Sequence, residues 1–176
     1  MITDKHLAES LREARIDNAH LINRLRVAGV AAFTVLSAVV THWTGSSLWN
    51  AAIAPLTAYF AIALVLMTGG EANSKILWLS RFGVPILDIP MVFWVQLVNV
   101  QAAKIATDGN PESIVNFSIA LFICLLMMSA LTLNSVQVYL SLVLAAAAEL
   151  ILQLQCPSIS FGGWISSPVL LFFATW

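Results

Sequence analysis

Six apolar stretches, separated by short polar turns, leave this chain few folds to choose from. A helix needs about 20 apolar residues to cross the hydrocarbon core of a bilayer. Stretches of that kind cover residues 27–43, 49–68, 82–103, 114–133, 136–155 and 161–176. The last is still apolar at Trp176, so the chain is expected to stop inside or at the end of that span. Backbone groups in lipid must be bonded internally, which a helix does within one segment. Composition supports the same solvent: 60% of the 176 residues are hydrophobic and 10% are charged, where a soluble domain has about a quarter charged. A chain of this size has too much surface to hide that much apolar material from water. The expected fold is all-α: a polytopic membrane helical bundle of six transmembrane helices preceded by a cytoplasmic N-terminal amphipathic helix. Residues 1–25 would form that helix and residues 26–176 the bundle.

Orientation is read from the basic residues. Lys5, Arg12, Arg15, Arg24 and Arg26 precede the first span, and Lys75 and Arg81 lie between the second and third. Only Lys104 falls on the other side. The excess of Lys and Arg marks the cytoplasmic face, so both termini are expected there. Trp43 and Trp49 bracket the first outer turn, at the depth where aromatic belts form. The first two dozen residues are polar and mixed in charge, unlike a signal peptide. The first apolar run therefore reads as an uncleaved anchor. Gly69-Gly70 is expected to end the second helix. Asp108-Gly109-Asn110-Pro111 signals a turn. The link at Asn134-Ser135 is so short that the fourth and fifth spans must be antiparallel neighbours. A net charge of −1 leaves no basic face for nucleic acid.

The N-terminal segment carries a 4-3-4-3-4 repeat at Leu7, Leu11, Ala14, Asn18, Leu21 and Leu25. That spacing makes a heptad seam, and a lone Asn at a core position often fixes register in a two-stranded coil. One reading is a short parallel coiled coil that pairs two protomers. The other is an amphipathic helix lying on the membrane or against the bundle.

Ionisable groups at membrane depth are costly and are functional candidates for that reason. Asp88 lies in the third span and Glu149 in the fifth. Counted at about 1.5 Å per residue, Glu149 is level with Gln96, while Asn99 and Gln153 are each one turn further. Gln96, Asn99, Glu149 and Gln153 are therefore expected to form a polar cluster. It serves either as a site for a small ligand, a cation or a proton, or as structural glue between helices. Asp88 sits between Pro85 and Pro90, each of which removes a helical hydrogen bond. The third helix should be kinked there, as a hinge or as a static bend. Arg81, about two turns below, either reaches up to Asp88 along the helix or snorkels to the inner surface.

No nucleotide, hydrolase, metalloprotease or dinucleotide motif occurs, so no catalytic residue is assigned. Cys124 and Cys156 form no CxxC pair or Cys/His cluster, and neither a metal site nor a cofactor is expected in this chain. His42, beside Trp43, reads as a solvated boundary residue. No convincing repeat relates the two halves, as a transporter often shows.

Three strings resemble the six-helix membrane domain of bacterial membrane-bound class III adenylate cyclases. They are Glu13-Ala-Arg-Ile-Asp-Asn-Ala-His-Leu-Ile-Asn-Arg-Leu-Arg26, Leu87-Asp-Ile-Pro-Met-Val-Phe-Trp-Val-Gln96 and Ala145-Ala-Ala-Ala-Glu-Leu-Ile-Leu-Gln153. The resemblance implies a membrane anchor and candidate sensor in a bacterial inner membrane, working as a homodimer. It also implies a cytoplasmic catalytic domain after the sixth helix, making cyclic AMP from ATP with Mg or Mn. That domain's catalytic residues have no counterpart here. The alternatives are a sensor for another output such as a kinase, a passive dimerising anchor, or a small transporter.

Overall fold

The computed structural model of the chain describes residues 2–45, 47–106, 109–156 and 169–173. The elements are α1 (Ile2–Thr44), α2 (Ser47–Ala72), α3 (Ser74–Arg81), a π-helical turn (Val84–Asp88), α4 (Ile89–Ile105), α5 (Pro111–Ala130) and α6 (Ser135–Leu154). Residues 169–173 are also helical, and no strand occurs among the described residues. Among the described residues, five helical stretches are long and apolar enough to cross a membrane: Glu9–Thr44, Trp49–Ala72, Val84–Ile105, Pro111–Ala130 and Ser135–Leu154. Most of the expected sixth span, 161–176, lies outside the described residues.

Local chemistry explains where the helices stop. Gly45 closes α1 in the left-handed region at φ 64°, donating its N–H to the Thr41 carbonyl at 2.9 Å as a C-terminal cap does. Asn73 caps α3 by accepting from the Lys75 N–H at 2.9 Å. Asn110 caps α5 through the Ser113 N–H at 3.1 Å. Pro111 follows at the first helical position, where its missing N–H costs nothing. Asn134 caps α6 through the Val136 N–H at 3.1 Å. Gly69 and Gly70 do not end α2, which runs on to Ala72. Ile76 and Leu77 of α3 pack against them instead, so the pair lets α3 fold back closely on α2. Within the apolar helices, Thr34, Thr57 and Thr68 return their hydroxyls to the carbonyl four residues earlier, at 2.7, 2.7 and 2.9 Å. A hydroxyl with no water to bond is satisfied in this way.

The N-terminal segment and the first span are one uninterrupted helix. Its inward face is not the leucine seam. Ala19, Ile22, Asn23, Arg26, Val30 and Ser37 are buried, while Leu11, Leu21 and Leu25 are exposed. Asn18 donates its amide to the Leu131 carbonyl at 2.7 Å, and Arg15 reaches the Leu133 carbonyl at 3.2 Å. The first half of α1 therefore docks on the α5–α6 turn. The Leu7 side chain lies outside the described residues.

Helix α1 packs along α2, α2 on α4, and α4 on both α5 and α6. One core cluster joins Ile22, Val84, Ile89, Val100, Phe122, Leu126 and Leu152 with the small residues Ala145 and Ala148 of α6. Small residues allow the close approach on which packing in lipid depends. A second, smaller cluster of Ala52, Leu56 and Val95 sits between α2 and α4. Val35, Val65, Met127, Val143 and Leu154 face outward and are exposed. Such a continuous apolar exterior suits hydrocarbon rather than water.

Leu133, in the α5–α6 turn, has φ 53°, a conformation that strains a side-chain-bearing residue by roughly 1–2 kcal/mol. Leu133→Gly should therefore leave stability unchanged or raise it by up to about 1 kcal/mol, measured by unfolding in mixed micelles. A loss beyond about 1 kcal/mol would show that the turn depends on the leucine side chain.

Candidate functional site

The third span begins with a turn that is not α-helical. Pro85 and Pro90 lack the N–H groups that would bond the carbonyls of Arg81 and Ile86. The chain responds with a wide turn over Val84–Asp88, in which the Ile89 N–H bonds the Val84 carbonyl five residues back. One inserted residue rotates everything after it by about 100°. The expected kink at Pro85, Asp88 and Pro90 thus takes the form of a π bulge, a feature frequent at functional sites. Pro85 and Asp88 are buried and Pro90 is exposed.

Asp88 is fully buried, and its partner is Arg26 of α1. Nε donates to Oδ1 at 2.6 Å and Nη2 donates to Oδ2 at 2.8 Å. This is the two-pronged geometry that makes guanidinium–carboxylate pairs strong. Tyr59 of α2 donates its hydroxyl to Oδ1 at 2.7 Å. The third guanidinium nitrogen, Nη1, donates to Asn23 Oδ1 at 2.6 Å. Asn23 passes the network on, donating to Ser80 Oγ at 3.3 Å and to the Leu66 carbonyl at 3.4 Å. Ser80 in turn donates to the Leu77 carbonyl at 2.8 Å. Side chains of α1, α2, α3 and the π turn are thereby tied into one polar knot. Gly83 completes it, because a methyl group there would overlap Arg26 Nη2.

This knot differs from the sequence expectation in its cation. Arg26 reads along the chain as one of the basic residues ahead of the first span, yet it is 3% exposed. The Arg81 side chain, the partner in one of the two sequence readings, lies outside the described residues. The signal that could have found Arg26 is its spacing. Ala19, Ile22, Arg26 and Val30 recur every three or four residues, an inward-facing stripe with an arginine in it.

The four residues expected as one polar cluster fall into two pairs. Glu149 accepts from Ser118 of α5 and, at 3.2 Å, from Gln153 Nε2 one turn along α6. Ser129 and Ser141 bond each other at 3.0 Å further along the same interface. The α5–α6 seam is thus polar at two levels, with Gln153 Oε1 left unpaired. Gln96 and Asn99 of α4 line a cavity instead. Among the described residues, no hydrogen bond joins them to Glu149 or Gln153.

That cavity has a volume of about 480 Å³ and lies among α1, α2, α4 and α5. Its walls are mostly apolar, with Phe33, Leu56, Val92 and Leu121 among them. Arg26 and Tyr59 of the polar knot line it. Gln96 and Asn99 line it as well, and Asn99 Oδ1 is buried without a partner among the described residues. The size falls within the range of small-molecule sites. Among the described residues, no group of three His, Cys, Asp or Glu side chains could hold a metal ion. Known protein families, characterised proteins and solved structures give no match to this chain.

Removing one partner of a buried ion pair strands the other charge, at about 3–5 kcal/mol. Asp88→Asn or Arg26→Gln alone should cost that much in mixed-micelle unfolding. The double variant should cost clearly less than the sum of the two. Strict additivity would mean that the pair does not form. Glu149→Gln keeps an acceptor and the side-chain shape, so it should change stability by less than about 1 kcal/mol in the same assay.

Proposed function

We propose that this chain is a membrane-embedded sensor and anchor of a bacterial class III adenylate cyclase system. In this reading it sits in the inner membrane with its N-terminus in the cytoplasm. It works as a homodimer, and a cytoplasmic catalytic domain joined through the sixth helix converts ATP to cyclic AMP. ATP and its Mg or Mn ions belong to that domain.

The observation that carries the reading is the Arg26–Asp88 pair at the π turn. Two of the strings that resemble the cyclase membrane domain meet in this contact, since Arg26 ends the first and Asp88 lies in the second. Glu149 and Gln153, in the third string, bond each other. The pair joins α1, a rigid rod of 43 residues, to the one irregular turn in the described spans. A change in helix packing at that turn would be carried along α1 to its polar end. Such a bundle signals when a ligand binds its two packings with different affinity. Leu11 and Leu21 of the leucine seam are exposed and would meet a second protomer, although Asn18 of the same seam is bonded to the Leu131 carbonyl.

The test fuses the chain ahead of a dimeric cyclase catalytic domain and measures cyclic AMP formation in membranes. Asp88→Asn, and the milder Tyr59→Phe, should shift basal activity in the same direction, Asp88→Asn by about fivefold or more, the low end of allosteric coupling. Unchanged activity in both would reject the signalling role. So would full activity and regulation after replacing the bundle with an unrelated dimeric membrane span.

A further inference from the structure

We propose that the cavity among α1, α2, α4 and α5 binds a long-chain, uncharged amphiphile with a hydrogen-bonding head, such as a fatty alcohol or monoglyceride, entering sideways from the bilayer. The proposal names the ligand class for the sensor reading and so rests on it.

The wall formed by α1 runs from Leu25 to Ser37, about 18 Å at 1.5 Å per residue. A cavity of about 480 Å³ along that wall accommodates a single extended hydrocarbon chain with a small head. The way in is lateral: α1 packs on α2, α2 on α4 and α4 on α5. This leaves α1 and α5 as the two lips of a groove that opens toward lipid.

Polarity selects the head. Gln96 is 4% exposed, and Asn99 Oδ1 is buried without a hydrogen-bond partner among the described residues. A buried amide oxygen without a donor costs about 1–3 kcal/mol. A head that both donates and accepts, such as a hydroxyl, would answer both amides. Charge excludes an ionised head. Among the described residues, Arg26 is the only charged one lining the cavity, and Asp88 already occupies its fork. A carboxylate or ammonium would find no counterion there, and burying it unpaired is prohibitive.

The experiment uses the full chain in lipid nanodiscs with a photoreactive dodecanol bearing a mid-chain diazirine. Labelling should map to the cavity walls, with Phe33, Leu56, Val92 and Leu121 as expected sites. Dodecanol should displace it, and neither dodecane nor ionised dodecanoate should compete. Asn99→Leu combined with Gln96→Leu should weaken labelling by roughly tenfold, the loss of two hydrogen bonds. Because leucine is similar in size and lipid-compatible, the double variant should unfold at an unchanged or higher midpoint. If it fails to fold, the three-way competition on the wild-type chain still decides. Labelling spread over outward residues such as Val65 and Val143, or equal displacement by dodecane, would overturn the proposal. Binding is read on the bundle alone, so this outcome is separate from cyclic AMP output in the fusion.

Discussion

A charge inside a bilayer has to bring its own solvent. Arg26 and Asp88 do this for each other, and Tyr59 and Asn23 complete the shell. The arrangement explains features that would otherwise be separate. Gly83 is small because the guanidinium occupies the space of a side chain. Asn23 is buried because Nη1 needs an acceptor. The π turn places Asp88 on the face that meets α1, which a continuous α-helical register would have rotated away by about 100°. Two prolines loosen the backbone, and the ion pair holds it in one form.

The broad architecture was legible because lipid imposes a simple rule. Apolar runs of sufficient length become helices, and their ends follow from Asn73, Asn110 and Asn134 at caps and Gly45 in the left-handed region. The exception at the Gly69-Gly70 pair is instructive. Glycine disfavours a helix interior by about 1 kcal/mol, but close packing of α3 on α2 overrides that preference. The flanking prolines also mark in the sequence the place where the regular helix gives way to the π turn at Val84–Asp88.

The partner of Asp88 was not legible, because positive-inside counting treats every arginine near a span as surface charge. Burial of Arg26 depends on the rotation of α1, which the leucine repeat points the wrong way within a single chain. Leucines at 11, 21 and 25 face out, and the residues that face in are an alanine, an isoleucine, an asparagine and the arginine itself. The four-residue polar cluster failed for a related reason. Depth along two helices can be counted, but azimuth cannot, and Gln96 and Asn99 face the cavity while Glu149 faces Ser118. Taken together, the bundle is stiff along α1, irregular at one turn, and hollow beside it.

The most direct test of this picture is solid-state NMR of the chain in lipid bilayers, with labelled arginine nitrogens and labelled aspartate carboxyl carbons. The account predicts a strong dipolar coupling between the Arg26 guanidinium and the Asp88 carboxyl carbon, as two hydrogen bonds of 2.6 and 2.8 Å require, lost in Asp88→Asn and absent from water-edited spectra. A missing coupling, or an Arg26 guanidinium in contact with bulk water, would contradict it.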